Sequence, residues 1–166
     1  MELFRVDGKM DGKKLAVAIA VPLIGGAAAG WLANRNAQDK FKRLDKPGFA
    51  PPPATFPIVW NILYTTMGIA RYRAGMSRTH KGMEESFPPY NIQLGLNFLW
   101  SFLFFKWRLR GTALIEMTIL LGAIALTAER FYREDCTAGL LMVPYMGWVL
   151  YALALNASIW EKNDLE

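Results

Sequence analysis

Chemistry in this sequence rests on three tryptophans that lie inside apolar runs, Trp60, Trp100 and Trp148, and on three amides near them, Gln93, Asn97 and Asn156. At helical spacing Gln93, Asn97 and Trp100 share one face, Trp60 shares a face with Tyr64, and Trp148 shares one with Ala152 and Asn156. Amides are costly against lipid, so these faces should point inward. An inward face of wide aromatic rings and a few amides suits a planar, apolar molecule with polar edges. Two plainer roles stand beside that one: tryptophans packed in a core or facing lipid, and amides that tie helices together.

Reactive groups are scarce. The single histidine, His80, falls in a polar segment, and the single cysteine, Cys136, excludes an internal disulfide and a cysteine metal cluster. A histidine metal site or a Ser-His-Asp triad inside the apolar runs is excluded with them. No catalytic and no metal-ligating residue is assigned. Glu116 is the one acid inside an apolar run, where a carboxylate is a functional suspect by default. It lies about one turn from the start of its helix, however. There the helix dipole favours an anion, and Arg108 or Arg110 is within reach, so a structural role is expected.

The elements that carry these residues are read from the distribution of charge. Five stretches lack Lys, Arg, Asp and Glu or nearly so: Leu15 to Asn34, Pro47 to Ala70, Ser86 to Phe105, Gly111 to Ala128 and Cys136 to Trp160. A hydrocarbon core of about 30 Å needs roughly 20 helical residues, and each stretch is about that long. Buried helices of a soluble bundle would carry charges on an outer face, and these do not. The expected fold is all-α, an integral membrane bundle of five transmembrane helices, with residues 1–14 as a mixed-charge tail and 15–163 as the membrane domain. The run Leu15 to Ala33 is too long for the apolar region of a cleavable signal and is taken as the first span. The net charge of +5 comes from loop Lys and Arg and speaks for anionic headgroups rather than nucleic acid. Lys and Arg divide almost evenly between the two faces, so they set no orientation.

The second span is expected over about Ala54 to Arg71, followed by a basic loop with Arg73, Arg78 and Lys81. The link Lys106 to Arg110 is so short that spans three and four must be antiparallel neighbours. In the first span Gly25/Ala29 and Gly26/Gly30 allow close helix approach. The first loop ends in Lys46-Pro47-Gly48-Phe49-Ala50-Pro51-Pro52-Pro53, which proline makes stiff and extended, a rigid entrance or a lid. Trp31, Trp107 and Trp160 end odd-numbered spans and form an interfacial belt on the first-loop face. Trp60, Trp100 and Trp148 lie deeper, between that face and the bilayer centre. Pro144, four residues before Trp148, is expected to bend the fifth helix.

Several motifs together resemble the translocator protein family, also called tryptophan-rich sensory proteins or peripheral benzodiazepine receptors. They are Lys46-Pro47-x-Phe49-x-Pro51-Pro52, Val59-Trp60-x-x-Leu63-Tyr64-x-x-Met67-Gly68-x-Ala70, Gln93-Leu94-x-Leu96-Asn97-x-x-Trp100 with Phe104-Phe105, Pro144-Tyr145-x-x-Trp148 and Leu155-Asn156-x-x-Ile159-Trp160. The resemblance implies a five-helix bundle, a homodimer, and a pocket closed by the first loop that binds porphyrins such as protoporphyrin IX. Carried over by motif, the ligand-binding residues are Trp60, Asn97, Trp100, Trp148, Ala152 and Leu155, with Phe49, Pro51 and Pro52 from the lid. No cofactor is implied, the porphyrin being a ligand. Tryptophans matching Trp60 and Trp148 are tied to light-dependent porphyrin breakdown in some bacterial members, which keeps a porphyrin-degrading enzyme and a membrane scaffold as alternatives to a receptor or transporter.

The chain also departs from the pattern. Phe49 stands where the family often has Trp, Lys40-Phe41 where it has Trp-Tyr, and Thr112 where animal members have Trp. The segment Leu155 to Lys162 lacks the tyrosine of the sterol-recognition pattern, which argues against cholesterol. The resemblance places the protein in the cell membrane if bacterial and in the mitochondrial outer membrane if eukaryotic.

Overall fold

The computed structural model describes residues 2–33, 35–83 and 87–163. Asn34 and Ser86, which bound the first and third charge-poor stretches, lie outside the described residues. The elements are α1 (Gly12–Ala33), a short α2 (Ala37–Lys42), α3 (Thr55–His80), α4 (Pro88–Ser101) continued by a π-helical turn (Phe102–Lys106), α5 (Arg110–Glu134), a short α6 (Cys136–Leu140) and α7 (Val143–Asn163). There is no β-strand among the described residues.

Five long rods form a ring: α1 packs on α3 and α4, α4 on α5, α5 on α7, and α7 closes on α3. The antiparallel pairing forced by the short link after α4 is therefore the α4–α5 contact. Val17, Val21, Ile24, Ile58, Ile62, Ile115, Ile119 and Leu126 are each more than half exposed on the outside of the ring. In water such a surface would be one large apolar patch; in a bilayer it is the lipid face. Gly12–Ala33, Arg110–Glu134 and Cys136–Asn163 are long and apolar enough to cross a membrane. The other two rods, α3 and α4 with its π turn, are less apolar because they turn Arg73, Ser77, Gln93 and Asn97 into the bundle, where all four are buried. The protein is an all-α, five-helix integral membrane bundle.

Close helix contact is set by glycine. A Cβ on Gly68 of α3 would come within 2.6 Å of the Ala18 carbonyl oxygen and the Ile19 Cα of α1, so backbone meets backbone there. A Cβ on Gly26 would overlap the Tyr64 ring, and one on Gly25 would reach Phe98 at 2.5 Å. The small residues of α1 thus seat aromatic rings of α3 and α4 as well as bare backbone.

The structure corrects several boundaries. The basic segment after the second span is helix, not loop, through His80. Its charges are met at the end of α5 and by the tail: Arg73 pairs bidentately with Asp135 at 3.0 and 2.9 Å and donates to the Leu3 and Arg5 carbonyls, while Arg78 and Lys81 pair with Glu134. The Tyr72 hydroxyl accepts from the Asp11 N–H, and Val6 is buried against Tyr72 and Met76. The proline-rich end of the first loop is not extended throughout: turns close from Ala50 N–H to the Pro47 carbonyl and from Thr55 N–H to the Pro52 carbonyl. The polar half before it, for which no element was expected, holds α2. Pro144 does not bend a helix; it occupies the first turn of α7, where no backbone N–H is required, and the break falls between α6 and α7. Glu116 is buried, and neither of its oxygens has a hydrogen-bond partner among the described residues, so the expected arginine contact does not form.

Candidate functional site

A cavity of about 400 Å³ opens between α1, α3 and α4, below the first loop. Its α1 wall is made of small residues, Gly26, Ala27 and Gly30, which leave room for rings from the opposite side. Trp60, Tyr64 and Phe56 come from α3, and Asn97 and Trp100 from α4. These side chains project together because Phe56, Trp60 and Tyr64 are spaced by four on one helical face, as Asn97 and Trp100 are spaced by three on another. Gln38 and Phe41 of α2 and Pro53 form the roof.

The ring contacts fix the geometry. Trp60 stacks on Tyr64 with centroids 5.4 Å apart and meets Tyr145 edge-on at 6.2 Å. Trp100 stacks on Phe104 at 5.3 Å. Phe56 is wedged between Phe41, at 5.1 Å, and Trp148, at 6.0 Å, both edge-on.

Beneath the cavity runs a buried polar chain across three helices. The Tyr64 hydroxyl donates to Asn97 Oδ1 at 2.7 Å, Asn97 Nδ2 donates to the Tyr145 hydroxyl at 3.0 Å, and that hydroxyl donates to Gln93 Oε1 at 2.8 Å. The chain holds the Asn97 amide in one orientation. Oδ1 is engaged, and one Nδ2 proton remains for a guest. The Trp100 Nε1–H is buried without a partner among the described residues. The wall therefore presents unused donors, which suits a flat apolar guest carrying an acceptor at its edge.

The roof is tied down by α7. The Tyr151 hydroxyl donates to the Phe49 carbonyl at 2.8 Å, and the Phe49 and Tyr151 rings meet at 6.1 Å. The Asn163 amide bonds the backbone of Asp45. The Lys46 ammonium closes the end of α2 by donating to the carbonyls of Phe41, Lys42 and Leu44.

Of the residues singled out from sequence, Trp60, Asn97 and Trp100 line the cavity. Trp148, Ala152 and Leu155 do not: Trp148 lies behind Phe56, and Ala152 and Leu155 are buried in the bundle core. Phe49, Pro51 and Pro52 sit in the roof segment but outside the cavity wall, which takes Pro53 instead. Sequence reasoning missed Phe56 and the roofing role of Phe41. Phe56 is signalled by its place four residues before Trp60, and Phe41 by standing where the family usually has tyrosine. The three belt tryptophans separate from this group: Trp31 and Trp107 are exposed, and Trp160 packs its indole 3.3 Å from the position of a Gly111 Cβ.

The sequence pattern of the TspO/MBR family matches residues 18–161. A tryptophan-rich protein TspO from Archaeoglobus fulgidus is 35% identical over 154 residues, covering 93% of this chain and 99% of its own length. A translocator protein from Sus scrofa is 34% identical over 156 residues, covering 87% of this chain and 86% of its own. A tryptophan-rich sensory protein from Cereibacter sphaeroides is 33% identical over 138 residues, 83% of this chain and 85% of its own.

Proposed function

Because this chain belongs to the TspO/MBR family, and is an integral membrane protein of that family, we propose that it is a receptor or transporter-like binder of tetrapyrroles such as protoporphyrin IX. The guest enters the cavity below the first loop, and that loop gates it. The observation that carries this reading is the cavity itself. Its volume of about 400 Å³ lies in the range of small-molecule sites, and aromatic planes and an amide wall it on two sides.

A tetrapyrrole is flat, apolar over its faces and rich in acceptors at its carboxylate edge. Trp60 and Tyr64 offer it a stacking surface, and Trp100 Nε1–H and the remaining Asn97 proton offer donors. Rotation of Phe56 away from Trp148 would lengthen the site toward α7 and bring Trp148, Ala152 and Leu155 to the guest. On this reading those three residues join the site in the loaded state. Phe49, Pro51 and Pro52 act as the stiff part of the gate, and the chain works as a homodimer.

Titration of the purified protein with protoporphyrin IX, read by quenching of tryptophan emission, tests the proposal. Saturable quenching that weakens on Trp60→Phe is expected. Non-saturable quenching, unaffected by that change, sinks it. Illumination of the loaded protein separates the receptor from a porphyrin-degrading enzyme: a receptor leaves the porphyrin absorbance intact.

A further inference from the structure

At the opposite end of the bundle from the tetrapyrrole cavity, α1, α3 and α4 enclose a second recess of about 420 Å³. Lys13 and Lys14 stand at its rim on the first turn of α1, with Arg71 of α3 facing them. Val17, Ala18 and Val21 continue the wall into the membrane, one to two turns deeper. Tyr90 of α4 completes it.

From this arrangement we infer that the recess is a binding site for an anionic glycerophospholipid, with the phosphate at the cationic rim and an acyl chain along Val17 and Val21.

The order of chemistry along the groove is that of a lipid: cations first, then apolar wall, with Val17 and Val21 facing outward. The lysines are also placed against the preference of their own helix. Cations in the first turn oppose the macrodipole, and α1 has no acid in its first turn to offset them. A phosphate at that point opposes the positive end of the α1 dipole. Asp11 caps α1 by accepting from the Lys14 N–H at 3.0 Å.

The second mark of a ligand is independent of charge. The Tyr90 hydroxyl lines the groove, its residue is only 4% exposed, and it has no hydrogen-bond partner among the described residues. A buried hydroxyl without a partner is uncommon, and a phosphate or glycerol oxygen would satisfy it. Arg71 is held in place beside it by stacking on Phe87, 4.7 Å from the ring centroid. The site does not depend on what the tetrapyrrole cavity binds.

Native mass spectrometry of the full chain, released from detergent with phosphatidylglycerol or phosphatidylcholine of matched acyl chains, tests the inference. Phosphatidylglycerol adducts should dominate. Lys13→Gln/Lys14→Gln should weaken them by about 25-fold, about fivefold for each lysine near an anionic headgroup. Tyr90→Phe, which keeps the ring, should weaken them severalfold without changing the melting midpoint. Lys42→Gln/Arg43→Gln removes the same charge at the other face and should leave them unchanged. Equal retention of both lipids, or an equal loss in the Lys42/Arg43 control, overturns the site in favour of diffuse surface charge. Efficient disulfide cross-linking of Val17→Cys copies in a Cys136→Ser background, within native membranes, overturns it in favour of a second copy of the chain.

Discussion

Asn163, at the end of α7, grips the backbone of Asp45 twice: its Nδ2 donates to the Asp45 carbonyl at 2.9 Å and its Oδ1 accepts from the Asp45 N–H at 3.0 Å. The two residues are 118 positions apart in the chain. The contact makes the first loop a tethered roof. Asn163→Ala removes both bonds, each with a net worth of about 1 kcal/mol at most in this exposed setting. Porphyrin release, followed by stopped-flow fluorescence, should quicken about three- to tenfold while association changes little. An unchanged release rate would mean that the roof does not gate the cavity.

Trp60→Phe keeps a ring on the cavity wall but loses area and the stack on Tyr64. Aromatic pairing contributes about 0.5–1.5 kcal/mol beyond burial, so porphyrin affinity should fall about two- to tenfold. Trp31→Phe, on the exposed belt, should leave affinity as it was. Fluorescence titration of both variants provides the comparison, and equal losses would show that depth in the membrane does not mark the site.

Phe56→Ala should expose Trp148 to the cavity. In the wild type Phe56 shields the Trp148 indole. The variant should make quenching by porphyrin depend on Trp148, so that Phe56→Ala/Trp148→Phe loses more of the quenched emission than Trp148→Phe alone. If the two lose the same amount, Phe56 is not the partition between cavity and α7.

Tyr145→Phe cuts the polar chain at its centre. It leaves Asn97 Nδ2 and Gln93 Oε1 buried without a partner. Each orphaned group costs about 1–3 kcal/mol, so the thermal midpoint should drop by several degrees. A melting curve in detergent is the check. Tyr64→Phe, which orphans only Asn97 Oδ1, should cost less.

Arg73→Met frees the tail. The Arg73–Asp135 pair is largely buried, and breaking such a pair leaves an uncompensated carboxylate at a cost of about 3 kcal/mol. The Leu3 and Arg5 carbonyls lose their donor as well. Trypsin should then cut after Arg5 and Lys9 much faster than in the wild type, as mass spectrometry of the released peptides would show.

The rods were legible because lipid imposes a rule on composition: a side chain facing hydrocarbon cannot be charged, so the charge-free runs mark the spans. Trp60 with Tyr64, and Asn97 with Trp100, were legible from spacing alone, because helical period fixes which residues share a face. What escaped was long-range satisfaction. Arg73 looks like a loop residue by charge, yet Asp135 and the tail carbonyls, far away in sequence, let it be helical and buried. Phe56 escaped for another reason. Spacing put it on the Trp60 face, but nothing local says that its ring stands between the cavity and Trp148. Pro144 was misplaced because a proline inside an apolar run marks either a kink or a helix start, and only the break after α6 decides.

The backbone contact at Gly68 has a mechanical consequence. With no side chain between α1 and α3 at Ala18 and Ile19, there is nothing to compress, so the two rods cannot separate there without losing their closest approach. Toward the first-loop face the same pair diverges around the cavity, between Gly26 and Gly30 on one side and Trp60 on the other. The crossing is thus a fulcrum. Trp60 lies about 12 Å along α3 from Gly68 at the helical rise, so a splay of about 10° moves the indole about 2 Å. The same splay would carry the Arg73 end, about 7.5 Å from Gly68 on the other side of the crossing, about 1.3 Å the opposite way, so opening the cavity works against the Arg73–Asp135 pair.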